Sequence, residues 1–330
     1  MMQSIHACPQ RQRGVALLTV MLILAVMVVV AAQFSQRLQL DLARATNLQH
    51  SLRSNWMLSG AEAFALKVIK QDLEDDDRVH LGQYWATEGM VFPVEDSVIK
   101  GHIVDMQACF NLNALGQPNK TDGQPPKVAD QFIGLLVAVG VDAYSAEQIT
   151  DATRDWIDAD TIPLPQGAED GVYEGLNPSY LPANMPMVDK SEFRAVYGVT
   201  AGIYRRVAPF ICAIPETGLA VNVNTVAADQ PQLLEALFYP DLDNTGALQV
   251  LNDRPDEGYR TLDEMMTHPA LAGIPLTQPG LQQTLALQSN YFKAQLLVEN
   301  EQGQAQMTSV IQRSGTSDLK VIRRSYGDQL

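Results

Sequence analysis

The chain has 330 residues and a formal net charge of −15, with 38 acidic against 23 basic side chains. A field of that sign repels phosphate at long range and sets the chain against a role on nucleic acid. The length leaves room for about two domains beyond any membrane anchor.

The first element lies within RQRGVALLTVMLILAVMVVVAAQF, Arg11 to Phe34. Between Gly14 and Gln33 no side chain is charged and Thr19 is the one clearly polar residue, so the run has about the 20 residues a membrane-crossing helix needs. A cleaved secretory signal has a shorter apolar core, and here Ala31-Ala32 runs on into helix-forming sequence, so the segment is expected to be kept. Arg11 and Arg13 just before it place the N-terminus in the cytoplasm and the bulk of the chain outside.

A short polar leader ending in Arg13-Gly14, followed at once by Val15-Ala16-Leu17-Leu18, resembles the signal of type IV pilins and type II secretion pseudopilins. The resemblance implies that a prepilin peptidase cuts between Gly14 and Val15; a plain signal anchor with a chance glycine is the bland reading. Most members of that superfamily carry glutamate at the fifth mature position, where this chain has Thr19. A carboxylate in lipid persists only where it finds a partner, such as the amino terminus of a neighbouring subunit. Threonine removes that pairing, a feature shared with the K-type minor pseudopilins. ACFNLNAL from Ala108, DWIDADTIPLPQGAEDGVYEG from Asp155 and VNVNT from Val221 also resemble that family, and the likeness covers essentially the whole chain.

Beyond the membrane, Leu38, Leu42, Ala45, Leu48, Leu52, Trp56, Leu58, Ala63, Leu66 and Ile69 recur mostly at three- and four-residue steps, which predicts one helix from Val15 to about Leu73. Arg44, Arg53, Glu62 and Lys67 are interspersed, so the apolar stripe should lie on a globular partner. The run Glu74-Asp75-Asp76-Asp77 ends the helix, because carboxylates oppose the macrodipole at a C-terminus. A metal role for that run is weaker than a solvated face.

MVFPV from Met90 and VIKGHIVDM from Val98 predict strands, as do YFKAQLLVENE from Tyr291, AQMTSVIQRS from Ala305 and KVIRRSY from Lys320. Strands near both ends imply one sheet closed by distant parts of the chain. Helical patterns fill the interval: VADQFIGLLVAVG, SAEQITDATRDWI with a capping box from Ser145 to Gln148, DKSEFRAVYGV, AADQPQLLEALF and TLDEMMTHP. Such small helical bundles resemble sterile-alpha-motif and helix-hairpin-helix modules, but the charge opposes a phosphate ligand. The expected fold class is α+β, a long pilin-like N-terminal helix on an antiparallel sheet with a large inserted α-helical domain. The expected divisions are a leader 1–14, a transmembrane and fibre-core helix 15–34, a first pilin-like part 35–113, the insertion 114–280 and C-terminal strands 281–330.

Cys8 would leave with the leader, so Cys109 and Cys212 remain as an even pair in an oxidising compartment and are expected to be bonded rather than two unrelated buried thiols. DWIDADTIPLPQGAEDG sets Asp155, Asp158 and Asp160 together and follows them with Glu169 and Asp170 after a Pro/Gly turn, a dense set of hard oxygen donors suited to calcium. The spacing is not that of an EF-hand and leaves calcium level with a solvated acidic loop; the resemblance implies calcium, since K pseudopilins bind it through acidic sites in the added domain. Asp155 is open between a ligand, a helix cap and a pair with Arg154 or Lys190.

His6, His50, His80, His102 and His268 are scattered, with no HExxH, GxSxG, P-loop or GxGxxG, so an enzyme is not expected. The reading favoured is a minor pseudopilin at the tip of a periplasmic pseudopilus, single-pass in the inner membrane. The I- and J-type minor pseudopilins and the major pseudopilin would be its partners and a prepilin peptidase its processor. A minor pilin of a type IV pilus or competence pseudopilus, and a signal-anchored periplasmic binding protein, are the alternatives.

Overall fold

The computed structural model describes residues 15–120, 123–275, 277, 280–315 and 318–327. The leader, with Cys8 and Gly14, lies outside the described residues. The chain divides into two compact units, Met1–Met57 and Leu58–Leu330.

Helix α1 is a single element, Val15–Asp75. In the first unit its residues 15–49 are exposed, including the aliphatic run from Val15 to Val30. One described helix, α1, is long and apolar enough to cross a membrane. The Thr19 hydroxyl donates to the Ala16 carbonyl at 2.9 Å, so it is satisfied within its own helix.

In the second unit the rest of α1 buries Leu58, Ala65 and Ile69, and at the core-facing position between them sits Glu62. The sequence shows Glu62 as one of the charged residues interspersed along the amphipathic half of the helix, and its carboxylate is turned into the fold. It takes a bidentate contact from the Arg324 guanidinium at 2.8–3.0 Å and a hydrogen bond from Ser309. Burial alone would raise its pKa, yet Arg324 and Ser309 hold it below the usual range. Ala63 and Trp56, read as stripe residues, are exposed. The acid run is used in pairs: Asp76 with Arg78, and Asp77 with Arg313 and Gln288.

Strands β1 (Val91–Val94) and β2 (Ser97–Asp105) form a hairpin. The chain then leaves the sheet and passes through β3 (Phe110–Asn111), α2 (Lys127–Ala138), α3 (Ala143–Ile157), α4 (Asp170–Glu174), α5 (Ala201–Val207) and β4 (Ile211–Cys212). β5 (Val221–Asn222), α6 (Pro231–Leu237), α7 (Asn244–Asn252), α8 (Leu262–Met266), α9 (Leu281–Thr284) and β6 (Leu285–Ala286) follow. It rejoins at β7 (Tyr291–Asn300), β8 (Gly303–Ser314) and β9 (Asp318–Tyr326). The five long strands make one antiparallel sheet in the order β1-β2-β7-β8-β9, so the insertion departs and returns between neighbouring strands.

Two local readings change. α3 starts at Ala143 and is capped by Asp142, whose carboxylate accepts from the Ser145 amide at 3.0 Å; Ser145 lies inside the helix rather than capping it. SEFRAVYGV is a 3-10 turn, Lys190–Ala195, with the capping box made by Asp189 and Glu192. Gly198 then takes φ +84°, and Thr200 caps α5 through the Ile203 amide.

The insertion has its own apolar core, with Phe110, Phe132 and Phe193 in ring contact at 5.1 and 5.9 Å. α2 and α6 close over it. Gly134 lets α2 approach Tyr239, whose ring and Cβ would lie 2.6 Å from an added Cβ.

The asparagines of the two family-like motifs act as staples. Asn111 donates to the carbonyls of Glu216 and Gly218, and Asn113 to those of Met187 and Ile214. Asn224 exchanges two hydrogen bonds with the Tyr259 backbone at 2.8 and 3.0 Å. Cys109 and Cys212 form a disulfide across 103 positions, with Cα atoms 5.9 Å apart, beside the parallel β3–β4 ladder. On the chain-entropy model a loop of that size contributes up to about 4–5 kcal/mol.

Candidate acidic cation site and family assignment

α3 ends at Ile157, and the chain then loops through residues 158–169 before α4 begins at Asp170. Asp158 is the C-cap of α3 and Glu169 precedes α4, so the two helix ends hold the acids that face each other. Asp158, Asp160 and Glu169 each offer a carboxylate oxygen, and these atoms lie within 4.8 Å of one another. No other such cluster of three occurs among the described residues.

The electrostatics of the group are unfavourable without a cation. Glu169 is buried and neither carboxylate oxygen has a hydrogen-bond donor; Asp158 Oδ1 is in the same state. Desolvation pushes Glu169 up to about 7, helped by Asp155, Asp158, Asp170 and Asp160, and Asp158 is raised for the same first reason with Asp160 beside it. Buried oxygens without donors cost free energy unless something positive reaches them.

Oxygen atoms on one calcium ion are separated by at most twice the 2.3–2.6 Å bond, about 4.6–5.2 Å, so carboxylate oxygens within 4.8 Å of one another can share a single ion. Magnesium, at 2.0–2.1 Å, wants a regular octahedron and keeps several of its waters, which suits an irregular acidic loop less well. Three carboxylates fit calcium's preference for hard oxygen donors, with the remaining positions open to backbone carbonyls and water.

The other two acids singled out in the sequence are elsewhere. Asp155 is fully buried and its two oxygens each lie 3.2 Å from the Leu164 amide, with the Ala168 amide a further donor; desolvation raises it to about 7. It does not cap or pair with its proposed cations: Arg154 donates to Asn119 Oδ1 at 2.7 Å, and Lys190 to the Ala208 carbonyl at 2.8 Å. Asp170 opens α4 outside the three-acid cluster.

Sequence reasoning missed a second acid centre. Asp105 at the end of β2 is fully enclosed, and its carboxylate accepts from Thr225 and Ser289 hydroxyls at 2.6 Å, from Asn222 Nδ2 at 3.1 Å and from the Gln107 amide at 2.8 Å. The signal was VNVNT itself, whose Asn222 and Thr225 are two of those donors.

A long N-terminal helix on an antiparallel sheet, opened between adjacent strands by a helical insertion, defines an assembly subunit of the pseudopilin class. The family model for type II secretion system protein K matches residues 108–216 and 221–288. The type II secretion system protein K of Aeromonas hydrophila is 43% identical over 327 residues, covering 96% of this chain and 98% of that protein. Its counterpart from Klebsiella pneumoniae is 37% identical, with 96% and 97% covered. The crystal structure of the GspK-GspI-GspJ complex from enterotoxigenic Escherichia coli contains a chain that superposes with a TM-score of 0.78 at 32% identity, covering 87% of this chain and 100% of that one. The chain therefore belongs to the type II secretion system protein K family and is a minor pseudopilin of that machinery, a structural component of protein secretion.

Proposed function

We propose that this subunit sits at the tip of a periplasmic pseudopilus, held in a complex with I- and J-type minor pseudopilins above the major pseudopilin, and that it is drawn there from the inner membrane after cleavage between Gly14 and Val15. The observation that carries the reading is the likeness, across 87% of the chain, to a protein solved with GspI and GspJ. Thr19 supports the tip position. Its hydroxyl bonds its own helix and offers no charge to the amino terminus of a subunit above.

Co-expression of the full-length chain with I- and J-type pseudopilins, followed by membrane extraction and affinity capture, tests the complex. Both partners are expected to copurify; a chain recovered alone in detergents that preserve other pseudopilin contacts overturns it. Intact-mass measurement of the same material reads leader removal and any N-methylation of Val15. Gly14→Ala is expected to leave the precursor uncut, because a Cβ intrudes at the scissile bond.

Calcium is the cofactor proposed for the loop, held by Asp158, Asp160 and Glu169. The donorless oxygens of Glu169 support it. The ion would neutralise the clustered charge and tie the end of α3 to the start of α4, a structural role with no chemistry.

A further inference from the structure

We infer that Asp151 and Asp155 are positioning residues for that cation site rather than ligands: two clips, one helical turn apart on α3, that fold the 158–169 loop back so that Glu169 meets Asp158 and Asp160. The inference rests on the calcium reading of the three-acid cluster and assigns work to residues outside it.

The clips are made to backbone. Asp155 takes the amides of Leu164 and Ala168, and Asp151 Oδ2 takes the amide of Gln166 at 3.2 Å. Three amides at alternate positions, 164, 166 and 168, are therefore gripped by two carboxylates at i and i+4 of one helix, which share a face. A tight turn lies inside the grip, where the Gly167 amide donates to the Leu164 carbonyl at 3.0 Å.

The turn leaves no space at its tip. A Cβ on Gly167 would lie 1.9 Å from Asp155 Oδ2, so the carboxylate occupies the volume that any other residue would need. Ala168 is fully buried, and Glu169 is the next residue, so fixing the Ala168 amide to Asp155 sets where the Glu169 carboxylate can go. A carboxylate already accepting several amides is a poor candidate for a direct metal bond, whereas the free oxygens of Glu169 are a good one. Partners outside the first coordination shell that orient a ligand are worth about 10–100-fold in metal affinity.

The test measures the calcium Kd of the full-length protein in detergent by calorimetry, for wild type, Asp155→Asn, Gly167→Ala, their double variant, Asp151→Asn and Glu169→Gln. Terbium luminescence lifetimes on the same samples count the waters on the bound ion. Asp155→Asn and Gly167→Ala are each expected to raise Kd about tenfold or more. The double variant should be no worse than the worse single, since both changes break one contact. Asp151→Asn should have a smaller effect in the same direction, and Glu169→Gln should abolish binding.

An Asp155→Asn Kd within twofold of wild type overturns the inference. So do multiplying effects in the double variant, or an extra bound water in Asp155→Asn, which would make Asp155 a ligand. If the variants do not fold, hydrogen exchange on wild type decides: the amides of Leu164, Gln166 and Ala168 are expected to be protected in chelator as well as in calcium, and unprotected amides in chelator overturn the preformed clip. A wild type that binds no calcium fails the cofactor reading instead, while amide exchange still judges the clip.

Discussion

Two buried acids in this molecule stand in opposite conditions. Asp105 is enclosed and has four donors around it, three from side chains and one from backbone. Glu169 is equally hidden from water and has none. Both are raised by desolvation, so the difference lies in what surrounds each carboxylate. Asp105 joins strand β2, where the insertion leaves the sheet, and the approach to β7, where it rejoins, to the VNVNT segment within the insertion. It is a finished joint. Glu169 joins two helix ends only when something else supplies the positive charge.

The sharpest way to break the comparison is to delete each acid. Asp105→Ala leaves the hydroxyls of Thr225 and Ser289 and the amides of Asn222 and Gln107 without their acceptor, at about 1–3 kcal/mol for each buried donor that finds no substitute. A total loss of about 3–5 kcal/mol is expected in denaturant unfolding, with or without calcium. Glu169→Gln should cost the calcium-free protein little, since it removes a repelled charge. If Asp105→Ala is the milder of the two in chelator, the contrast is wrong.

Calcium itself should act on one centre alone. A ligand bound only by the folded state adds RT ln(1 + [L]/Kd), about 2.7 kcal/mol at a hundredfold excess over Kd. Melting of the full-length protein in millimolar calcium should therefore exceed melting in chelator, and Glu169→Gln should erase the gap while Asp105→Asn preserves it. Superimposed wild-type curves would rule out a calcium ion on the three acids.

The pH dependence is a smaller effect with a definite sign. Asp155 and Glu169 are raised to about 7, so between their unfolded values near 4 and that point the folded state holds protons that the unfolded state has lost. Stability in chelator should fall as pH rises from about 5 through 7. Calcium binds the deprotonated carboxylates, so the decline should flatten or reverse when it is present. A calcium-free melting profile that rises across this window contradicts the raised values.

Much of this was legible before the structure, and the exceptions have a common cause. The sheet strands carry β-branched residues in near alternation, and α1 an apolar run followed by mostly three- and four-residue spacing; both patterns are local, so the sequence carries them. The start of α3 was misplaced because DAYSAEQ offers two good caps three residues apart, Asp142 and Ser145, and local rules do not choose between them. The acids near the cation site were named as a set, but their division was invisible. Whether Asp155 faces solvent, metal or backbone depends on the path of residues 158–169, which is fixed by contacts that Asp155 itself makes. Glu62 carried a readable warning, a carboxylate at core spacing between Leu58 and Ala65 that is buried against Arg324. Asp105 carried none of its own, since its three side-chain donors lie more than a hundred positions away in the chain, and their one trace in the sequence is the VNVNT segment.

The smallest expected effect falls on Asp170. It stands directly after Glu169 at the first position of α4, and its charge helps to raise Glu169, so it touches the site through the field rather than by contact. Asp170→Asn removes one nearby negative charge, which takes away some long-range attraction for a cation and at the same time relieves some repulsion on Glu169. The two changes oppose each other in calcium affinity. A partly exposed charge acting across solvent is worth a few tenths of a kcal/mol to about 1 kcal/mol before that cancellation. The calcium Kd of Asp170→Asn is therefore expected within about threefold of wild type, against loss of binding in Glu169→Gln. Addition of salt should shrink even that difference, because screening acts on field effects and hardly on direct coordination. A tenfold or larger loss that survives high salt would make Asp170 a fourth carboxylate ligand, and the cluster would then extend from the end of α3 into the first turn of α4.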